Sequence, residues 1–334
     1  MYAGDVIDTT TEALVPASDG AALARLTRLE EAARDYARAS RAASTLRGYR
    51  SDLRDFEAWC GDHGVASLPA TPEAVALYIT ALAGAGAKAS TIQRRLSALS
   101  QAHQLAGHDP PPTADPIVRT TMKGIRRTLG TAPTQKAPAV TAELRRMVAT
   151  CPEATLAGRR DRALLLLGFA GAFRRSELVS LDVDALTETA DGLRVRLRVS
   201  KTDQEGAGEE KGIPFGQHPE TCPIRALRAW REASGIEAGP LFRPVTRHDT
   251  VQEGRLTDKG VARVVKRAAE RAGLDPTRYA GHSLRAGLAT SAAAGGAPER
   301  AIMKQTGHRS VTMVRKYIRS GSLFQENAAA YVGL

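Results

Sequence analysis

In the second half of the chain, five short segments concentrate the side chains with the widest chemical reach. Residues 171–178 carry Arg174, Arg175 and Glu177, and Lys201 follows a stretch that alternates apolar and basic residues. His282 and Arg285 stand as His-x-x-Arg, His308 follows Gly307, and Tyr317 lies nine residues beyond His308. Guanidinium groups bind phosphate oxygens in pairs and stay charged at physiological pH. Imidazoles take or share a proton near neutrality. A phenol, with a pKa of about 10, becomes a useful nucleophile only beside cations or a base. These types suit an anionic, phosphate-bearing substrate. Neither histidine is accompanied by Asp, Glu or Cys at ligand spacing, so no metal and no cofactor is expected.

The elements that must position these groups begin with helices. Residues 21–40 read as an amphipathic helix. Ser44 is placed to cap a helix through Tyr49, Leu53 and Phe56 to about Trp59. Thr71, Pro72 and Glu73 supply a cap, a first-turn proline and an early carboxylate for a helix to about Leu82. Ser90 is placed to cap the next, with Ile92, Leu96, Leu99 and His103 along one side and Gly107 at its end. After the prolines at 110–112 a further helix is predicted from Asp115 to about Arg127. Residues 128–140 are small, polar and proline-containing, the composition of a linker. Beyond it, 141–150 and 159–171 are predicted helices. Residues 193–199 alternate as a strand with Arg194, Arg196 and Arg198 on one face, 202–211 form a polar loop, and 212–215 return as a partner strand. From Cys222 onward the pattern is again mostly helical.

A chain of 334 residues exceeds what one compact core usually takes, so two domains are expected. The net charge of +11 favours a polyanionic partner, nucleic acid first. Residues 1–40 hold 4 Lys and Arg against 7 Asp and Glu, residues 41–135 hold 11 against 7, and residues 136–334 hold 32 against 22. Both candidate domains are therefore basic, and only the leader is acidic. Three cysteines without CxxC spacing argue against a disulfide framework or a zinc site and fit a reducing cytoplasm. Neither a signal peptide nor a membrane span is expected.

In that order, and with those intervening elements, the five segments resemble the catalytic domain of the tyrosine recombinase (phage integrase) family. His-x-x-Arg alone is unspecific; the joint order and the step from His308 to Tyr317 carry the likeness. The resemblance covers about residues 36–325, and within the family the amino-terminal half is most similar to the Cre recombinase, through Thr91-Ile92-Gln93, His103 and the proline-rich break. At His308 the chain departs from Cre, which has Trp there, and matches most other members.

The resemblance implies a mainly α fold: a helical, SAM-like core-binding domain and an α+β catalytic domain with a small antiparallel sheet, closing on DNA as a C-shaped clamp. The expected division is a flexible acidic leader with a first helix at 1–35, the core-binding domain at 36–130, a linker at 131–139 and the catalytic domain at 140–334. It also implies that Tyr317 is the nucleophile of a site-specific recombinase that passes through a 3′-phosphotyrosine. Arg174 and Arg285 would stabilise the charge on the phosphate. Of the adjacent pair, the Ser-Glu-Leu register selects Arg174 and makes Arg175 structural. His282 and His308 would accept a proton or donate a hydrogen bond. Lys201 would be the general acid for the leaving oxygen, with Lys211 its nearest competitor. Glu177 would brace Arg174 or form only a surface ion pair.

For DNA contact the same resemblance singles out Gln93, Arg94 and Arg95 on one helix and Lys259, Arg263 and Lys266 on another. Gln can read adenine and Arg guanine, but each could equally hold a phosphate, and only Arg94 and Lys259 are favoured as base readers. The partners implied are double-stranded DNA with an inverted-repeat recombination site and three further copies of the chain, a homotetramer on two sites in the cytoplasm, with no membrane. The tail after Tyr317, with Leu323, Phe324, Ala328 and Tyr331, would dock on a neighbouring protomer. Two other classes use similar parts: an architectural DNA-binding relative without catalysis, and a type IB topoisomerase-like relaxing enzyme. The presence of all six catalytic types weighs against the first. A separate helical domain and a short tail weigh against the second.

Overall fold

The computed structural model of the chain describes residues 20–39, 42–132, 135–197, 208–308, 310–312, 314, 315 and 317. They fall into two units, Met1–Thr134 and Gln135–Leu334, each with its own core. Lys201, Arg198 and the tail residues Leu323, Phe324, Ala328 and Tyr331 lie outside the described residues.

The first unit is helical, with α1 (Gly20–Ala39), α2 (Ala43–His63), α3 (Pro72–Gly84), α4 (Ala89–Leu105) and α5 (Pro116–Leu129). Phe56, Tyr78, Ile79, Ile92, Leu96, Leu99 and Met122 meet in its core, at the helical spacing that their sequence shows. The Thr71 side chain accepts from the Ala74 amide and caps α3, with Pro72 in the first turn, where an N–H has no partner to lose. Asp115 caps α5 through the Ile117 amide.

Ser44 and Ser90, expected as caps, lie inside their helices instead. Helix α4 starts at Ala89, which is buried in the core and so places Ser90 one residue inside the helix. Helix α2 starts at Ala43, where the Ala42 carbonyl already accepts from the amides of Thr45 and Leu46. It runs a turn past Trp59 because Cys60 packs in the core, and Gly64, left-handed at φ 65°, ends it.

The second unit comprises α6 (Thr141–Ala149), α7 (Leu156–Ala170), α8 (Arg175–Ser180), β1 (Leu186–Thr189), β2 (Gly192–Leu197), β3 (Glu209–Pro214), α9 (Pro223–Ser234), α10 (Asp258–Arg271), α11 (His282–Ala294) and α12 (Glu299–Thr306). Residues 311, 312, 314, 315 and 317 are again helical. Helix α7 runs through the core with Leu164, Leu165 and Leu167 fully buried, beside Trp230 of α9 and Val264 and Val265 of α10. The first amides of α7, at Leu156 and Ala157, donate at 2.8 and 3.0 Å to the carboxylate of Asp249, a cap delivered from far along the chain.

The sheet is antiparallel in the order β1-β2-β3. Leu193, Val195 and Leu197 point into the core while Arg194 and Arg196 face solvent, the alternation of a half-buried strand. It differs from the expectation at both edges. Strand β1 was not foreseen because Thr187, Glu188 and Thr189 are exposed and carry no apolar period. Strand β3 begins at Glu209 because its ladder with β2 extends to the Leu197–Glu209 pair.

Residues 136–139, read as the end of a linker, lie on the second unit. The Ala137 amide donates to Arg278 O at 2.7 Å and the Ala139 amide to Ser283 O at 2.9 Å, so these two backbone donors of the extended segment are satisfied. Ala139 is fully buried, and a Cβ on Gly287 of α11 would fall 2.0 Å from its carbonyl oxygen. Only glycine allows that approach. No described helix is long and apolar enough to cross a membrane.

Candidate active site

Five of the sequence-selected side chains converge where α7, α8, α11, α12 and the helical turn of Tyr317 meet: Arg174, His282, Arg285, His308 and Tyr317. His282 and Arg285 share a face of the first turn of α11, which is what a spacing of three residues does on a helix. His282 Nε2 stands 2.9 Å from the Tyr317 hydroxyl. Arg285 is almost wholly buried, at 1% exposure; its Nη1 donates to Ala172 O at 2.8 Å and its Nη2 reaches His308 Nε2 at 3.3 Å. Burial first, and then the charge of Arg174, pull its pKa down to about 10.

The connection from α7 to α8 is under backbone strain. Ala172 is left-handed at φ 48°, a conformation that costs a non-glycine residue on the order of 1 kcal/mol or more. It is held there by the buried ring of Phe173 and by the Arg285 bond to its carbonyl. The turn delivers Arg174 to the start of α8, where its amide donates to Glu177 Oε2 at 2.9 Å and its guanidinium pairs with Glu177 Oε1. Glu177 is 3% exposed, so the pair is no surface contact. Arg175 points elsewhere: it is 42% exposed, 3.9 Å from Asp258, with its stem against Gly281.

His308 follows Gly307, which ends α12 in the left-handed region at φ 62° and whose absent Cβ makes room for the Glu209 carboxylate. Burial, followed by the charges of Arg285 and Arg174, holds the His308 pKa down to about 4, so the ring is neutral at physiological pH. Its centroid lies 5.8 Å from that of Tyr317. Tyr317 packs beside Ala289, Ala293, Ile302 and Val314. Burial raises its pKa, and Arg285 opposes the rise, so without substrate the phenol keeps its proton.

Lys211, the competitor of Lys201, is buried at 3% exposure beneath this group. Its ammonium donates to Gln305 O at 2.6 Å and Gly171 O at 3.3 Å and lies 3.7 Å from Glu209 Oε1. Gln305 adds side-chain bonds to Ala170 O at 2.7 Å and Gly212 O at 3.2 Å. Together they tie β3, the turn before Arg174 and the turn before His308. Sequence reasoning missed Gln305 and Thr306 altogether, since nothing in their spacing marks them. Among the described residues no three His, Cys, Asp or Glu side chains cluster as metal ligands.

The residues selected for DNA contact fall in two places. On α4, Gln93 and Arg94 are exposed; Gln93 accepts from Arg126 at 2.5 Å and Arg94 pairs with Asp52. Arg95 turns inward to Asp55 and, at 2.6 Å, to the Tyr78 hydroxyl. Beside them runs a groove of about 820 Å³ lined in part by Gln93, Ser97, Gln104, Arg119, Lys123 and Arg126. On α10, Lys259, Arg263 and Lys266 are all exposed on one side of the helix, without ion-pair partners among the described residues.

Comparison with known proteins agrees in sequence and in fold. Residues 140–322 match the phage integrase family, and residues 35–108 match the phage integrase N-terminal SAM-like domain. An integrase/recombinase xerD homolog of Selenomonas ruminantium is 45% identical over 293 residues, covering 86% of this chain and 85% of the relative. Among solved structures, the XerH site-specific recombinase bound to palindromic difH substrate shares the fold with a TM-score of 0.61 at 15% identity, over 98% of this chain and 94% of that one. A lambda integrase tetramer bound to a Holliday junction does so with a TM-score of 0.57 at 17% identity, over 84% of this chain and 73% of that one.

Proposed function

The chain belongs to the phage integrase family of tyrosine recombinases and is a site-specific DNA recombinase, and on that premise we propose that Tyr317 is its nucleophile. The observation that carries this reading is the 2.9 Å contact between the Tyr317 hydroxyl and His282 Nε2, with Arg285 one helical turn away. The phenol oxygen attacks the scissile phosphorus, the bond from phosphorus to the 5′ oxygen breaks, and a 3′-phosphotyrosine forms. His282 takes the phenol proton. Arg174 and Arg285 face the non-bridging oxygens, each contributing about 2–4 kcal/mol where negative charge builds up. Lys201 protonates the departing 5′ oxygen. The phosphotyrosine conserves the energy of the broken bond, so a 5′ hydroxyl of the partner strand reseals it by the reverse steps. Protons and bonds balance with the chain and DNA alone, and the reaction uses no metal, cofactor or ATP.

Both basic units bind the same duplex, through Gln93 and Arg94 on α4 and Lys259, Arg263 and Lys266 on α10. The duplex carries an inverted-repeat site, and four copies of the chain join two such sites. Family membership supports this assembly, as does a fold shared with recombinases solved on a palindromic substrate and, as a tetramer, on a Holliday junction. The described cysteines, Cys60, Cys151 and Cys222, are all unpaired, which fits work in a reducing cytoplasm.

The test is a DNA substrate nicked beside the cleavage point, so that the cut strand diffuses away and the adduct accumulates. The wild-type chain yields a covalent complex on denaturing electrophoresis, with or without EDTA. Tyr317→Phe binds the site normally and yields none. An adduct from Tyr317→Phe, or loss of activity in EDTA, would overturn the assignment.

A further inference from the structure

Gly48, Asp52 and Asp55 recur at the spacing of one face of α2, and that face meets Arg94 and Arg95 of α4. The two neighbouring guanidiniums are held differently. Arg95 is 20% exposed and pairs with Asp55, and its Nη1 also donates to the Tyr78 hydroxyl at 2.6 Å, so it is committed to the packing of α2, α3 and α4. Arg94 pairs with Asp52, yet its own side chain stays 48% exposed. Asp52 is 4% exposed, and its other carboxylate oxygen lies 3.9 Å from Arg95 Nε. A carboxylate taken so far out of water is stable only beside a cation, and being packed it cannot follow a swinging partner. The exposed Arg94 guanidinium is thus tied to a fixed point. Gly48 leaves it room, since a Cβ there would stand 3.6 Å from Arg94 Nη1. On the other flank of α4, Gln93 is held by Arg126 of α5, a contact between two exposed side chains with no buried anchor.

We propose that Asp52 is a positioning residue for DNA specificity: it holds Arg94 in one orientation, in which the guanidinium reads a guanine of the half-site instead of gripping a phosphate. The proposal rests on the reading of Arg94 as a DNA contact. A phosphate can be met from many directions by a swinging side chain, and such a contact carries no sequence information. Guanine is different, because its O6 and N7 must meet two N–H groups of one planar fork at a fixed separation and angle. A fork held in place before DNA arrives loses little freedom on binding and presents those groups in one plane. A buried anchor therefore serves base reading and does little for phosphate binding. Asp52 also offsets part of the charge with which Arg94 would attract DNA of any sequence. Both effects raise discrimination relative to indiscriminate affinity.

Selection of duplexes from a randomised pool by the full chain yields the bound half-site, and competition by its single-base variants measures the preference at each position. Wild type prefers G·C at one position by roughly 10- to 100-fold, and Arg94→Ala loses that preference and no other. Asp52→Ala loses most of it at the same position, yet binds unrelated duplex at least as tightly as wild type, since a negative charge has gone. Damage to the fold would instead weaken binding to every sequence. In the double variant, Asp52→Ala adds nothing to Arg94→Ala at that position. A uniform loss of affinity in Arg94→Ala, with a salt slope smaller by about one, makes Arg94 a phosphate contact and overturns the proposal. Full discrimination by Asp52→Ala overturns the role of Asp52 while the DNA contact of Arg94 stands. Where urea denaturation shows Asp52→Ala to be unfolded, Gly48→Leu decides, because it removes no charge, favours the helix and sets a branched side chain against the guanidinium. Discrimination kept by Gly48→Leu then overturns the proposal. An Arg94→Ala chain indistinguishable from wild type on all duplexes removes Arg94 from the DNA, and the reading beneath the proposal fails with it.

Discussion

The Tyr317 hydroxyl stands 2.9 Å from His282 Nε2, in a setting where burial raises the pKa of the phenol. A phenol so placed loses its proton only to a neighbour, and His282 is within reach. His282→Ala therefore lowers single-turnover cleavage at neutral pH by about 10²–10⁴. The loss shrinks as pH rises, because hydroxide then does what the imidazole did. The rate–pH profile of the two proteins checks this; parallel profiles would remove His282 from the proton path.

Glu177 is the buried counter-charge for Arg174, binding both its amide and its guanidinium. Removing it leaves Arg174 beside Arg285 without its buried counter-charge. Glu177→Ala should lower stability by about 2–4 kcal/mol, read from urea denaturation. It should also slow cleavage, while Arg174→Ala and Arg285→Ala each slow it by roughly 10²–10³. A stable Glu177→Ala protein with full activity would reduce the pair to a bystander.

Lys201 and Lys211 are separable by chemistry. If Lys201 protonates the leaving oxygen, Lys201→Ala is rescued by a substrate with sulfur at the 5′ bridging position, since a thiolate leaves without a proton. Lys211 has its ammonium on Gln305 O and Gly171 O, so it holds two turns of the site together. Lys211→Met leaves those carbonyls unpaired, and its slow cleavage is not rescued by sulfur. Rescue of Lys211→Met would exchange the roles of the two lysines.

How much of this was readable in the sequence depends on what fixes each residue. Ile92, Leu96, Leu99 and His103 mark α4 because burial recurs with the helix, and His282 and Arg285 fall on one face for the same reason. Strand β1 has no such period, because most of its side chains face solvent and only its ladder with β2 makes it a strand. In the sequence Lys211 stands at the end of a polar stretch, 202–211, that marks a loop. Its burial follows from pairing with Val195 on the inward face of the sheet, a relation that no local pattern reports. The contact between the Thr306 hydroxyl and His308 Nδ1 depends on the left-handed turn at Gly307, which swings His308 back onto the end of α12. Ser44 and Ser90 are poor guides to the helix starts because a cap is a weak preference: α4 begins one residue earlier at buried Ala89, and α2 begins at Ala43, where the Ala42 carbonyl already accepts from Thr45 and Leu46.

His103 offers a test of the first unit alone. It is 1% exposed, and Nδ1 donates to Leu99 O at 2.8 Å while Nε2 accepts from the Ala70 amide at 2.9 Å. A second proton would put N–H against N–H at Ala70, and burial lowers the pKa below its ordinary 6.5. The unfolded chain therefore binds this proton at a higher pH than the folded one. Below about 6.5 the unfolded state holds more protons, so stability falls as pH falls from there towards the lowered folded pKa. Above that window the contribution is fully present. His103→Gln keeps an acceptor for Ala70 without a titrating group, so its stability should depend less on pH between neutrality and about pH 5. Urea denaturation of both proteins across that range isolates His103, since the contributions of the other histidines cancel in the difference. Equal acid sensitivity in the two would mean that the Ala70 contact survives protonation and that the core of this unit tolerates the charge.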